Sequence, residues 1–195
     1  METNTSFNEK KSEIMPSDKG LLRISKVAFG QWKELFLDKS TTWVDTILGE
    51  ICDHYELEHN HKGNCSIDLK LLRKKNYELG DQLIIDGELS LSYNTSCIRC
   101  LEVFNEQIHT KIALVIADES FSKKEEYQEV DEVYAEEKNR ELYFYERGQL
   151  NLKELVRELC FLELNPLPIH NAECKGLCFE CGANLNHEQC SHSQS

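Results

Sequence analysis

The sequence predicts an α+β fold, a twisted antiparallel sheet with one or two packed helices. Two patterns carry this. Leu89, Leu91 and Tyr93 alternate with Ser90, Ser92 and Asn94, and beyond a short cysteine-containing turn the alternation resumes with Ile108, Ile112, Leu114 and Ile116. Period-two alternation on both sides of a tight connection describes two antiparallel strands with one wet face. Helical spacing appears twice: Trp43, Ile47, Ile51 and Tyr55 recur every fourth residue, and Leu152, Leu155, Val156, Leu159 and Cys160 share a second apolar face that ends before Pro166.

The remaining elements follow in chain order. Residues 1–20 offer no periodic apolar face and read as a flexible tail. Leu21 to Phe29 reads as a strand, Thr41 to Tyr55 as a helix, and Cys65 to Lys75 as a further strand. Residues 118–141 are mostly charged and read as a solvated acidic linker, with an acidic docking surface as the sharper alternative. Leu142 to Leu150 reads as a short strand and turn, and a helix is expected at about 151–164. The organisation expected is therefore a tail at 1–20, an α+β core at 21–165 interrupted by the linker at about 118–141, and a cysteine-rich segment at 166–195.

Composition narrows the function. The chain has 195 residues, 40% of them hydrophobic, enough for one modest core. Its formal net charge of −13 repels nucleic-acid phosphates at long range and favours a protein partner. No apolar run approaches the roughly 18 residues needed to cross a membrane. Residues 1–20 lack the apolar centre of a signal peptide, so a cytoplasmic location is expected. Nine cysteines, an odd number, in a reducing compartment read as thiols or metal ligands rather than as a disulfide framework.

The cysteines cluster near the C-terminus. Cys174, Cys178, Cys181 and Cys190 lie close together, flanked by His170 and His192. A two-residue gap, as in Cys178-Phe-Glu-Cys181, lets both thiolates face one metal, and Gly182 tolerates the positive φ that such a knuckle needs. Zinc takes four nitrogen or sulfur ligands in a tetrahedron, and a site without an open position is structural. An iron–sulfur cluster and unliganded thiols are the alternatives. The segment after Pro168 carries few large apolar residues, so metal ligation would offset an ordering entropy that a core cannot. A zinc-knuckle segment thus completes the expected fold. Cys160, on the apolar face of a helix, reads as a buried structural thiol.

Cys97 and Cys100 form a second pair, CIRC. A zinc knuckle completed from elsewhere, a redox dithiol and two inert thiols compete. A redox pair usually opens a helix after a strand, because the helix N-terminus lowers the thiol pKa; here a strand is expected to follow. His54-Tyr-Glu56 with the later CIRC faintly echoes a zinc-deaminase pattern, but Ser96 stands where that pattern has proline. No phosphate-binding loop, dinucleotide fingerprint, nucleophile elbow or HExxH motif occurs, so no enzyme and no small-molecule substrate is expected. The short basic run Arg73-Lys74-Lys75 reads as a solvated face.

Three pieces of the chain resemble the YceD family, the large ribosomal RNA subunit accumulation proteins of bacteria and plastids. They are CIRCLEVF at Cys97 to Phe104, the helix NLKELVRELCFLELNPLPIH, and CKGLCFECGANLN followed by Cys190. The resemblance covers about residues 80–192. It implies a non-enzymatic ribosome biogenesis factor supporting synthesis, processing or stability of 23S ribosomal RNA. The implied partner is ribosomal RNA or a large-subunit assembly protein, with direct contact to either left open. A zinc-containing nucleic-acid-binding regulator is the alternative, and a cytosolic CxxC redox protein a more distant one. Phe179 stands where the family's knuckle has proline, and His170 and His192 stand where many members have cysteine, a replacement zinc accepts.

Eight candidate ligands suit two closed sites. Because some family members keep the first pair yet lack the last knuckle, the expected partition is Cys97, Cys100, His170 and Cys174 in one site and Cys178, Cys181, Cys190 and His192 in the other. The rival is one local site of Cys174, Cys178, Cys181 and Cys190 with the CIRC pair free, which closes shorter loops. The first partition places the Cys97 and Cys174 sulfurs about 3.5–4 Å apart around a metal with Zn–S bonds near 2.3 Å.

Overall fold

The computed structural model describes residues 14–57 and 63–192. In chain order the elements are β1 (Leu21–Arg23), β2 (Trp32–Asp38), α1 (Thr42–His54), β3 (Asn64–Asn76), β4 (Gly80–Ser96), β5 (Val103–Asp118), β6 (Glu132–Ala135), β7 (Lys138–Tyr145), β8 (Gln149–Asn151) and α2 (Leu152–Leu162). Six strands form one sheet in the order β2-β3-β4-β5-β7-β6, and β1 pairs antiparallel with β8 in a separate two-stranded ladder. Three residues join β3 to β4 and six join β4 to β5, connections too short for anything but antiparallel neighbours.

The sheet is mixed rather than wholly antiparallel. β5 and β7 run parallel, from Leu114 opposite Glu141 to Asp118 opposite Tyr145. The chain leaves β5, forms β6 first, and turns back through Glu136 and Glu137 into β7, which inserts between β5 and β6. Both glutamates have positive φ, 48° and 65°, the conformation of a two-residue type I′ hairpin. This turn lacks the usual Asn-Gly signature, so the sequence pattern conceals the reversal and hence the parallel pair.

The chain divides into two compact units. One comprises Met1–Phe36, Asp68–Gly87 and Ile112–Leu152, the other Leu37–Ile67, Glu88–Lys111 and Lys153–Ser195. In the first unit the strands are covered on both faces. Gln82 to Ile85 and Leu114 to Ala117 are each four consecutive buried residues, which alternation alone does not produce. The cover comes from the acidic stretch. Phe121, Tyr127, Val130, Val133 and Ala135 pack against a buried cluster of Leu72, Leu79, Ile84, Val115, Ala117 and Leu142. The solvated linker expected at about 118–141 is therefore corrected to a folded flap. Its apolar residues are few but face one way, and its glutamates point to water.

The expected tail also needs correction where it is described. Residues 1–13 lie outside the described residues. Ile14 is buried, and the Leu21 amide donates to Ser17 Oγ at 3.2 Å. The strand expected over Leu21 to Phe29 is only three residues long, after which Ile24–Lys26 makes a 3-10 turn.

In the second unit one sheet face stays wet. Leu89, Leu91 and Tyr93 are buried while Glu88 and Ser90 are exposed. On the buried side lie Trp43, Ile47 and Ile51 of α1 and Leu155, Val156 and Cys160 of α2. The two helices meet through the Arg157–Glu50 ion pair and the His54–Phe161 ring contact. The Cys160 thiol lies against that of Cys65 on β3. Past α2 the chain is pinned to β4 and β5: the Asn165 amide donates to Tyr93 Oη at 3.1 Å, and Asn165 Nδ2 donates to Glu106 at 2.9 Å. This pin delivers residues 166–192 to the β4–β5 connection.

Candidate metal centre

Cys97 follows the last residue of β4 and begins the turn into β5, with no helix on either side. The turn is a knuckle. Leu101 N–H donates to the Cys97 carbonyl at 2.9 Å, and Cys97 N–H donates to the Glu102 carbonyl at 2.9 Å. Closing it requires Leu101 at φ 62°, a conformation costly for a side chain with a Cβ. The second pair repeats these bonds. Gly182 N–H donates to the Cys178 carbonyl at 2.9 Å and Cys178 N–H donates to the Ala183 carbonyl at 2.9 Å, with Gly182 at φ 73°. Leu101 and Gly182 thus occupy equivalent positions in two CxxC knuckles.

The eight candidate residues come together as two groups of four. Cys97, Cys100, His170 and Cys174 form one, and Cys178, Cys181, Cys190 and His192 the other, with the donor atoms of each group within 4.8 Å of one another. Cys174 lies with the CIRC pair rather than with the later cysteines. Its Sγ is 3.8 Å from Cys97 Sγ, and Cys100 Sγ is 3.4 Å from His170 Nδ1. Those separations match two ligands sharing a tetrahedral ion, with bonds near 2.3 Å to sulfur and 2.0–2.1 Å to nitrogen. The second group is tighter: Cys181–Cys190 is 3.2 Å, Cys178–Cys190 3.4 Å and Cys190–His192 Nδ1 3.2 Å. Three thiols and one imidazole in each group are a donor set that can hold a metal ion with no open position.

The groups differ in exposure. Cys97, Cys100 and Cys174 are buried together, with Phe104, Ile169 and Leu177 packed around them. In the second group Cys178 and Cys190 are buried but Cys181 and His192 are exposed. The thiol pKa values follow hydrogen bonding as much as burial. Burial would raise Cys97, but bonds to its sulfur from the His170 backbone and ring and from the Arg99 and Cys100 amides bring it down to about 6. Burial pushes Cys100 up to about 12. Backbone amides of Cys181 and Glu180 bring Cys178 down to about 6. Amides aimed at one sulfur per knuckle favour a thiolate there, the form in which cysteine binds metal.

Several supporting residues escape ligand spacing rules. Arg99 donates from Nη1 to the carbonyls of Ala172 and Cys174, tying the first knuckle to the returning chain. Leu177 N–H donates to the Arg99 carbonyl at 3.0 Å, and a Cβ on Gly176, at φ 75°, would sit 3.1 Å from that oxygen. Asn186 donates from Nδ2 to Cys174 Sγ at 3.4 Å and accepts from the Lys175 amide at 2.8 Å. The Glu102 carboxylate lies beside Cys100 and His170 and bonds His187, which holds its carboxyl below the usual range. Arg99, Glu102, Gly176 and Asn186 all fall inside the stretches CIRCLEVF and CKGLCFECGANLN, so the motif, not the cysteine count, was their signal. Partners of this kind orient ligands and tune a metal. His54 makes ring contacts with Tyr55 and Phe161, while His59 and His61 lie outside the described residues.

No described helix is long and apolar enough to cross a membrane. No solved structure matches the chain. Two curated plant proteins do, each named large ribosomal RNA subunit accumulation protein YCED homolog 1, chloroplastic. The one from Arabidopsis thaliana is 25% identical over 140 residues, covering 64% of this chain and 42% of that protein. The one from Zea mays is 24% identical over 122 residues, covering 54% of this chain and 42% of that protein. The chain thus spans less than half the length of these relatives. Residues 85–195, more than half of the chain and including all eight grouped cysteines and histidines, match the family described as large ribosomal RNA subunit accumulation protein YceD, and the chain belongs to that family.

Proposed function

We propose that this protein is a non-enzymatic ribosome biogenesis factor, acting in the cytoplasm to support synthesis, processing or stability of 23S ribosomal RNA. The observation that carries the reading is that the family match runs through both Cys/His groups and the strands that present them. In this reading each group holds one structural zinc. Cys97, Cys100, His170 and Cys174 bind the first, fixing the C-terminal segment to the β4–β5 turn. Cys178, Cys181, Cys190 and His192 bind the second, folding the tail on itself. Closed sites leave no position for a substrate, so their contribution is shape. The partner is ribosomal RNA or a large-subunit assembly protein. Deletion followed by quantitation of 23S against 16S rRNA tests the function: a lowered 23S:16S ratio is expected, and an unchanged ratio with normal large subunits overturns it. Metal analysis of the purified chain tests the cofactor, with two zinc per chain expected.

A further inference from the structure

The first unit contains a cavity of about 340 Å³ whose polar lining is dominated by arginine. Arg23, Arg73 and Arg147 surround it, with Asp81 as its one acidic residue, in a chain of net charge −13. Arg23 ends β1 opposite Gln149 of β8, which also lines the cavity. Arg23 and Arg147 are exposed, and neither makes an ion pair with a described residue.

Arg73 is held in place. Its Nε donates to Asp81 at 3.0 and 3.2 Å and its Nη2 donates at 2.6 Å. Asp81 thus occupies one edge of the guanidinium and leaves Nη1 available, on a side chain that is only partly exposed. Tyr145, also at the wall, donates from its hydroxyl to the Asp81 carbonyl at 3.2 Å. A guanidinium fixed by a carboxylate loses little further freedom on binding a ligand.

Arg147 adds an independent observation. Arg147 and Gly148 form the two-residue loop between β7 and β8, closed by mutual backbone bonds of Glu146 and Gln149 at 3.1 and 2.8 Å. Their φ values, 50° and 71°, are those of a type I′ turn. The first position of that turn suits asparagine, aspartate or glycine, and an arginine there carries local strain. The turn brings a third guanidinium to the same cavity.

We propose that this arginine-lined cavity binds the phosphodiester backbone of single-stranded RNA. The choice of RNA rests on the function proposed above, and an exposed aromatic residue paired with Arg73 favours it over a carboxylate partner. Phe29, 59% exposed, pairs with Arg73 in a backbone β-bridge. An exposed aromatic residue paired with a guanidinium is a combination that stacks a base while a phosphate is held. The acidic remainder of the chain keeps affinity modest and makes the contact local.

The test is fluorescence anisotropy of the full chain with a labelled twelve-nucleotide oligouridylate at several salt concentrations. Arg147→Gly removes one guanidinium and relaxes the turn, so folding is not at risk, and Arg23→Gln removes a second at an exposed position. The double variant is expected to bind at least about tenfold more weakly, with an unchanged or raised Tm. The slope of log affinity against log salt should flatten by about 1.4, roughly 0.7 for each lost phosphate contact on a single strand. Inorganic phosphate should compete only at millimolar levels. Equal binding by wild type and variant overturns the proposal, as does the absence of any RNA binding at low salt. Competition by polyglutamate as strong as by unlabelled RNA assigns the cavity to an acidic protein and overturns the choice of RNA. Complementation of a deletion strain runs in parallel. A wild-type chain that restores the 23S:16S ratio while the variant binds RNA undiminished removes this inference and leaves the proposed function standing. A wild-type chain that does not restore the ratio removes the function, and the anisotropy then decides the cavity alone.

Discussion

The two units solve the same problem by different means. The first covers both faces of its strands with apolar side chains, so Gln82 to Ile85 and Leu114 to Ala117 are buried without a break. The second leaves one face wet, and its C-terminal segment folds around two groups of thiols and imidazoles. A flap with Phe121, Tyr127, Val130 and Val133 brings enough apolar surface to hold itself down. Residues 169–192 bring little, with Phe179 fully exposed, and ligation is the stabilisation proposed for them. The contrast separates a region that should respond to loss of side-chain burial from one that should respond to loss of metal.

The largest expected effect is therefore on the second unit. Chelation should expose the amides of residues 97–102 and 168–192 to hydrogen exchange. Cys97→Ser with Cys100→Ser should reduce the zinc content from two per chain to one. Retention of two zinc after that double substitution would refute the proposed partition. Because Cys181 and His192 are exposed whereas Cys97, Cys100 and Cys174 are buried, a chelator should remove the second zinc first and give two kinetic phases. A single phase would break the comparison.

The next effect belongs to the first unit. Arg140 is 2% exposed and donates to the carbonyls of Ala135 and Ile85 and to both oxygens of Asp86, at 2.9 and 3.0 Å. Asp86→Asn leaves that guanidinium buried without its counter-charge and should destabilise by about 3–5 kcal/mol. Burial pushes the Asp86 carboxyl up, but Arg140 and Lys138 more than reverse this and hold it below the usual range. A lowered folded-state pKa contributes stability above the unfolded value, near 3.9, that is lost as pH falls through the folded value. Denaturant titration should show the wild-type advantage over Asp86→Asn shrinking below about pH 4. An advantage that stays constant to pH 2 would show that the carboxylate charge is not what matters.

What the sequence disclosed tracks where the information resides. A candidate metal ligand is legible because its chemistry is its identity: eight sulfur and imidazole groups suit two quartets, the family resemblance rather than spacing divided them, and the structure groups the same residues in that way. The helices at 42–54 and 152–162 were legible from spacing alone. The flap was not, because four or five apolar residues among many glutamates give no period, and their burial depends on a surface built elsewhere in the chain. The parallel placement of β7 depends on a reversal at Glu136–Glu137, and glutamate is a poor marker of a turn with positive φ. The second left-handed position was hidden the same way, since Gly182 announces a knuckle and Leu101 does not.

That last pair gives the smallest and sharpest test. Leu101 and Gly182 make the same bond, their amides donating at 2.9 Å to the first cysteine of their respective knuckles. They differ in cost, because a left-handed conformation strains leucine by about 1–2 kcal/mol and glycine hardly at all. Leu101 is 64% exposed, so removing its side chain gives up little burial. Leu101→Gly should therefore raise stability by up to about 1 kcal/mol, the relieved strain exceeding the extra freedom glycine gives the unfolded chain. Gly182→Ala should lower it by about 1 kcal/mol for the converse reason, although nothing lies within 4 Å of the added Cβ. Both are read as shifts in Tm of the zinc-loaded chain, measured with metal in excess so that ligand loss does not dominate. Opposite signs would establish the two knuckles as equivalent backbones differing only in one residue's fit. A loss of more than about 1 kcal/mol on Leu101→Gly would instead show that the exposed leucine makes a contact of its own.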